Sequence, residues 1–149
     1  MLTDAEGAAL TDIRSEEHNR RAADWITGMV RRWTAAGDMA VHVSIAGGRK
    51  TMGFYLGYAL SLYGRPQDRL SHVLVSAPFE SHPDFYFPTQ QSRIIYTPPP
   101  ESRPLDTATA EVTLAEIPFV RLREGLPERL LTGESSYIAS VAAAQRLLE

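Results

Sequence analysis

The stretch that decides the fold runs from residue 41 to residue 52 and reads Val41-His42-Val43-Ser44-Ile45-Ala46-Gly47-Gly48-Arg49-Lys50-Thr51-Met52. Alternating apolar residues, which are typical of a strand, lead into two glycines, two cations, a hydroxyl and an apolar helical segment. Glycine lets a backbone approach an anion closely, and a helix N-terminus offers free N–H groups and a positive dipole end. The stretch therefore predicts a strand, a phosphate-binding turn and a helix.

The segments around this stretch predict an α/β fold, because helices and strands alternate along the chain. A helix is expected to begin after Ser15, which can cap it, and to end before Gly37. The apolar segment that begins at residue 49 or 50 forms the next helix, which Gly64 ends. Residues 70–76 then form a second strand. The chain opens with a polar lead instead of a strand, so we expect an N-terminally shortened form of a larger domain.

The second half of the chain has a different composition. Seven of the ten prolines lie in residues 77–104, together with several aromatic residues. A linker would lack those aromatics, so we interpret 77–104 as a structured loop or hairpin inserted into a single domain over residues 1–149. Beyond it we expect a half-buried strand at 107–115, an edge or kinked segment at 117–120 and a closing helix at 135–149.

Composition excludes several classes of protein. The absence of cysteine rules out disulfides, thiolate zinc sites and a cysteine nucleophile. A net charge of -3 argues against a general nucleic-acid coat protein, so any anion site must be local. The longest apolar stretch is too short to span a bilayer, and the N-terminus lacks a signal-peptide pattern. We predict a cytoplasmic protein with neither a membrane nor DNA as a partner, and with no cofactor.

The turn after the first strand admits three interpretations. A Walker A loop would need glycine where Arg49 stands and again at Ser44, so the spacing disfavours it. The dinucleotide fingerprint needs three spaced glycines, and only the pair Gly47-Gly48 is present. The third interpretation is a tight strand-to-helix turn with solvated cations. The position at the carboxyl end of a strand, where open α/β sheets bind ligands, favours an anion site over that third interpretation.

The run from Ser44 to Met52 resembles the strand-then-Gly-Gly-x-Lys signature of the CARF family (CRISPR-associated Rossmann fold). With segments 56–62, 68–75 and 117–123, it is similar to a CARF subfamily of small proteins found with type III CRISPR systems, some of them ring-nuclease-like. The resemblance covers roughly residues 10–149. It implies a Rossmann-like domain with a mostly parallel sheet and helices on both faces. The family's first strand and loop, which form the other wall of its ligand pocket, have no counterpart before Ser15.

The resemblance also implies a ligand and site residues. CARF domains form homodimers that bind cyclic oligoadenylate, and the ring nucleases among them cleave it. By position, Gly47 and Gly48 would bring N–H groups to a phosphate, and Lys50 would contact it with help from Arg49 or Thr51. Lys50 and Arg49 are therefore the candidate catalytic residues. The candidate ligand-binding residues are Ser44, Ala46, Gly47, Gly48, Arg49, Lys50, Thr51, Met52, Ser76, Phe79 and Glu80.

A general base is not evident among the histidines. We interpret His42 as a packed core or interface residue and His72 as structural. His82 and Glu80 follow the carboxyl end of the second strand, and they are candidates to reach the site. The spacing of these histidines does not predict a metal site. The resemblance therefore implies a protein that binds cyclic oligoadenylate, and we expect metal-independent ring-nuclease activity in preference to sensing alone. The alternative is a non-catalytic cyclic-oligoadenylate sensor, or a nucleotide-binding or interaction module that dimerises through the apolar helix.

Overall fold

The helix expected after Ser15 is the longest element of a computed structural model that describes residues 1–149. The Ser15 Oγ accepts a hydrogen bond from the His18 N–H at 3.1 Å, and acidic residues occupy the first turn, as the helix dipole favours. Gly64 ends the second helix as expected, because its N–H bonds back to the Leu60 carbonyl. The helices are α1 (Glu16–Ala35), α2 (Lys50–Tyr63), α3 (Glu128–Thr132) and α4 (Tyr137–Gln145).

Five short strands form two sheets. They are β1 (His42–Ser44), β2 (Arg69–Val75), β3 (Ile94–Tyr96), β4 (Pro104–Asp106) and β5 (Val112–Glu116). One sheet has the order β1-β2-β5, and β3 and β4 form an antiparallel pair. The pair β1–β2 is parallel, with Val43 opposite Leu70. The α/β class is thus confirmed, whereas a Rossmann-like topology stays a prediction.

The larger sheet is mixed. At one end of the β2–β5 pair the Ile117 N–H donates to the Leu70 carbonyl at 2.8 Å, and at the other end the Ser76 N–H donates to the Glu111 carbonyl at 2.9 Å. The residue numbers rise on one strand as they fall on the other, so β5 runs antiparallel to β2. The expectation of a mostly parallel sheet is therefore not met in this sheet.

The chain divides into two compact units. The first unit comprises Met1–Ser71 and Glu116–Glu149, and the second comprises His72–Ala115. The core of the first unit is formed by apolar residues from the helices, β1, the start of β2 and the segment before α3: Ile26, Val30, Val43, Ala59, Leu60, Leu62, Tyr63, Leu70, Leu126, Leu130 and Ala144. The core of the second unit is formed by Phe79, Ile95 and Ala110. That residues 77–104 are an insertion into one domain stays a prediction.

Two glycines let α2 lie close to the strands. A Cβ added at Gly53 would meet the Cβ of Ile45 at 3.7 Å, and one added at Gly57 would meet Leu70 Cδ2 at 3.6 Å. The glycine side of α2 therefore packs on β1 and β2. This packing brings the N-terminus of the helix directly to the carboxyl end of β1.

A buried ion pair closes the turn between α2 and β2. The Arg65 Nε and Nη2 donate to Oδ2 and Oδ1 of Asp68, both at 3.0 Å. The same guanidinium also donates to the carbonyls of Ala36 and Met39. Asp68 in turn accepts the N–H of Val41 at 2.8 Å, so the pair ties the loop that precedes β1 to the start of β2.

Two expectations for the second half are corrected. Alternation suggested a strand from residue 107, but Thr107–Thr109 form a 3₁₀ turn because the Asp106 carboxylate accepts the N–H of Ala108 and caps it. The closing helix is shorter than expected, since Ser136 caps it and α4 ends at Gln145. No helix is long and apolar enough to cross a membrane.

Candidate functional site

The turn between β1 and α2 has a backbone that requires glycine. Gly47 has φ +84° and Gly48 has φ +76°, both in the left-handed region. A Cβ at either position would meet no atom within 4 Å, so conformation and not space demands glycine there. Arg49 is the N-cap residue of α2, and its side chain makes no capping bond.

This turn presents a run of unpaired backbone donors. None of the N–H groups from Ala46 to Thr51 donates a hydrogen bond within the chain, whereas the next one, that of Met52, donates to the Arg49 carbonyl at 3.0 Å. Free donors at a helix N-terminus are satisfied by water or by an anion. Consecutive N–H groups in a left-handed turn form the kind of concavity that binds phosphate.

An open groove lies beside the turn, between the N-terminal ends of α1 and α2. Both helix dipoles therefore direct their positive ends toward it. Asn19 Nδ2 donates to the Tyr55 hydroxyl at 2.6 Å and ties the two helices together below the groove. The lining residues are Ile13, Arg14, Ser15, Glu16, Asn19, Gly48, Arg49, Lys50 and Thr51.

Asp12 holds Arg49 at the edge of this groove. The Nε of Arg49 donates to Oδ1 of Asp12 at 2.9 Å, and Nη2 donates to Oδ2 at 2.5 Å. Asp12 also accepts a bond from the Nε of Arg14 at 3.3 Å. The hydrogen bonds from Arg49 and Arg14 hold the pKa of Asp12 well below its usual range, and the bond to Asp12 raises the pKa of Arg49 further. One edge of the Arg49 guanidinium is thus already engaged by a carboxylate.

Lys50 is the free cation of the site. Its side chain is exposed and makes no hydrogen bond or ion pair. Sequence reasoning placed Lys50 and Arg49 together in one role, but the structure separates them. Arg49 is partly neutralised by Asp12, whereas the whole charge of Lys50 is open to a ligand. Asp12 itself was missed, because it lies 37 residues before Arg49 and belongs to no local motif.

The other predicted site residues divide between the two units. Ser44, Ala46 and Thr51 are exposed beside the turn, whereas Met52 packs against the core of the first unit. The remaining three residues, Ser76, Phe79 and Glu80, belong to the second unit. In that unit the Ser76 hydroxyl accepts the N–H of Glu111, the Phe79 ring is buried in the core and Glu80 is exposed. A ligand role for these three residues stays a prediction.

The histidines make other contacts. His42 is exposed, and its Nε2 lies 2.7 Å from the Ser71 hydroxyl, so the core alternative is wrong, whereas an interface role stays a prediction. Val43 occupies the core-facing position, and the alternation of the strand turns His42 away from that core. His82 accepts the Asp84 N–H at Nδ1 and bonds the Tyr96 carbonyl at Nε2. Catalytic roles for Glu80 and His82 stay predictions.

The comparisons with known proteins give a family. A family model described as CRISPR-associated protein NE0113 (Cas_NE0113) matches residues 1–149. No curated protein and no solved structure gives a match. The association with CRISPR that the residues around Gly47-Gly48 suggested is thereby confirmed. Since the match covers the whole chain, the protein belongs to the CRISPR-associated NE0113 family.

Proposed function

We propose that this chain binds a cyclic oligoadenylate second messenger at the Gly47–Thr51 turn and cleaves it, as a CARF-type ring nuclease. The observation that carries the proposal is the run of unpaired N–H groups from Ala46 to Thr51 beside the free cation of Lys50. Such an arrangement matches the chemistry of a phosphodiester. Membership of a CRISPR-associated family, together with the resemblance to CARF signatures, supports the choice of a cyclic oligoadenylate among phosphodiesters. A second copy of the chain would complete the pocket around the ring.

The proposed reaction uses the ligand's own ribose. The 2′-oxygen attacks the adjacent phosphorus and the bond from phosphorus to the 5′-oxygen breaks. The proton of the 2′-hydroxyl passes to solvent, and the leaving 5′-oxygen takes up a proton. The product is a linear chain with a 2′,3′-cyclic phosphate and a 5′-hydroxyl. Lys50 and the turn N–H groups would stabilise the charge that grows on the phosphoryl oxygens, and the groove would hold the ribose in line.

Binding without cleavage is the second candidate function. It is favoured by the absence of a histidine among the residues that line the groove, where Glu16 is the only carboxylate. A sensor needs the anion site and no proton acceptor, whereas a nuclease gains rate from one. The two functions share the same binding site and differ only in the products.

The test is an incubation of the chain with radiolabelled cyclic tri-, tetra- and hexa-adenylate in EDTA. Complexes and products are resolved on separate gels. We expect one of the three cyclic oligoadenylates to bind the chain and to be converted to a linear product that ends in a 2′,3′-cyclic phosphate. Linear oligoadenylate of the same length and single-stranded DNA serve as controls and should bind more weakly. Binding of a cyclic oligoadenylate without cleavage products would establish a sensor. If none of the three cyclic oligoadenylates binds, the proposed function is overturned.

Removal of the charge on Asp12 provides a separate prediction. In Asp12→Asn one negative charge leaves the edge of the groove and Arg49 becomes available, so we expect several-fold tighter binding of the cyclic oligoadenylate at low salt. This gain in affinity should shrink as salt rises, because salt screens the interaction of the ligand's phosphates with the charges at positions 12 and 49. Affinity is measured by retention of labelled ring at two salt concentrations. Asp38→Asn is the matched control, since Asp38 is exposed after the other end of α1. Weaker binding by Asp12→Asn would mean that Asp12 positions Arg49 for the ligand.

A further inference from the structure

An exposed aromatic pair lies on α2 next to the anion-binding turn. The rings of Phe54 and Tyr58 are stacked with centroids 5.5 Å apart and planes at 29°. Phe54 is 59% exposed and Tyr58 is 37% exposed. Residues 50, 54 and 58 are spaced four apart, so Lys50 and the two rings follow one side of the helix.

The pair is held in place from its inner side. Tyr137, the first residue of α4, packs edge-on against Tyr58 at 6.1 Å and against Tyr55 at 4.9 Å. Tyr55 is fixed in turn by the bond from Asn19, and Phe54 packs edge-on against Tyr55. Tyr58 is therefore clamped between Tyr137 and Phe54. The ring of Phe54 remains the most exposed of the four and is open to a ligand on its outer side.

The position of this pair suits a nucleotide. One helical turn, about 6 Å along the axis, separates Lys50 from Phe54. The free N–H groups lie immediately beyond Lys50, at the same end of the helix. A ligand whose phosphate sits on the turn would therefore carry its neighbouring group along α2 toward the rings. Aromatic side chains beside a cation are the usual platform on which proteins stack nucleobases.

We infer that Phe54, supported by Tyr58, is the stacking platform for an adenine base of the ligand whose phosphate binds at Gly47–Thr51. This inference rests on the proposed function and adds to it the residues that hold the base. An adenine is favoured over a protein partner because the rings adjoin the free cation and the unpaired donors of the turn. A base joined to a phosphate uses all three features at once.

The test compares Phe54→Leu with Phe54→Trp. Loss of the ring should weaken retention of cyclic oligoadenylate about 5- to 100-fold, whereas tryptophan should preserve it, because stacking depends on the aromatic face. Trp33→Leu is the matched control. Trp33 is also an exposed aromatic residue, at 45%, but it lies at the far end of α1. The indole in Phe54→Trp gives a second readout. Its fluorescence should be quenched by the cyclic oligoadenylate and not by inorganic phosphate.

The outcomes separate the inference from the function on which it rests. If the unaltered chain retains the ring and Phe54→Leu retains it equally, the platform is wrong and the proposed function stands. If the unaltered chain retains no ring, both are overturned. Sedimentation of the same variants tests the competing occupant, a second copy of the chain. If Phe54→Leu loses self-association and the fluorescence of Phe54→Trp is not quenched by the cyclic oligoadenylate, the two aromatic rings belong to a protein interface. That result would overturn the platform.

Discussion

Replacement of Asp68 by alanine is expected to lower the free energy of unfolding by about 3–5 kcal/mol, the typical cost of removing one partner from a buried ion pair. The side chain of Asp68 is fully buried, and that of Arg65 is 10% exposed. The variant leaves the guanidinium of Arg65 without its counter-charge in the interior. It also removes the acceptor of two backbone donors, the N–H groups of Val41 and Arg65. Unsatisfied buried groups of this kind are costly.

The measurement is denaturant unfolding of the unaltered chain, Asp68→Ala and a matched surface variant, Asp38→Ala. Asp38 is exposed and accepts no bond, so its removal should change stability by less than about 0.5 kcal/mol. The stability of Asp68→Asn should lie between those of Asp68→Ala and Asp38→Ala, because the amide keeps one acceptor oxygen and loses the charge. A change below about 1 kcal/mol in Asp68→Ala would show that water replaces the carboxylate and that the pair does not stabilise the loop before β1.

The same carboxylate sets a pH dependence. Burial raises the pKa of Asp68, but the hydrogen bonds from the Arg65 side chain and from the N–H groups of Val41 and Arg65 outweigh it, so the folded-state pKa lies below the ordinary value of 3.8. A depressed pKa means that the unfolded chain binds the proton first. The contribution of the Asp68 carboxylate to the free energy of unfolding is complete above pH 3.8. It is lost as the pH falls through the folded-state pKa. Asp68→Asn should show a smaller loss of stability over that acid range.

Helices α1 and α2 and the turn between β1 and α2 could be predicted because their signals are local. Ser15 caps the helix that follows it, Gly64 ends α2, and Gly47 and Gly48 adopt the backbone that only glycine adopts readily. The 3₁₀ turn at Thr107–Thr109 was missed because alanines and threonines alternate there as they do in a half-buried strand. The Asp106 side chain decides the conformation, and alternation carries no information about such a cap.

The candidate site was predicted only as far as the turn itself. Its opposite edge comes from Asp12 and the start of α1, which reach the turn through the packing of α1 on α2 and not through any motif. The sequence shows Arg49 and Lys50 as two adjacent cations and gives no reason to expect that one of them is paired. The contact with Asp12 divides them into one paired and one free charge. The exposed pair Phe54–Tyr58 was likewise not predicted, because the apolar composition of α2 does not show which side α1 and the strands leave open.

Replacement of Lys50 by alanine is expected to reduce cleavage of the cyclic ligand by about 10²–10³-fold, the usual cost of removing one donor that stabilises developing charge. Affinity should fall less, because the backbone N–H groups from Ala46 to Thr51 remain in place to bind the phosphate. The fold should be unaffected, since the Lys50 side chain makes no bond within the chain. Single-turnover cleavage and retention of labelled ring measure the two effects separately. The melting temperature verifies that the variant is folded.

Arg49→Ala is the internal comparison for Lys50→Ala. Both variants remove one positive charge from adjacent positions at the start of α2, but Asp12 already occupies one edge of the Arg49 guanidinium. If the resting arrangement persists in the complex, Arg49→Ala should slow cleavage much less than Lys50→Ala does. An equal or larger loss in Arg49→Ala would mean that the ligand draws Arg49 away from Asp12, and Asp12→Asn should then bind the ring more tightly. Unchanged cleavage in Lys50→Ala would contradict the role of Lys50, because no other free cation adjoins the unpaired donors of the turn.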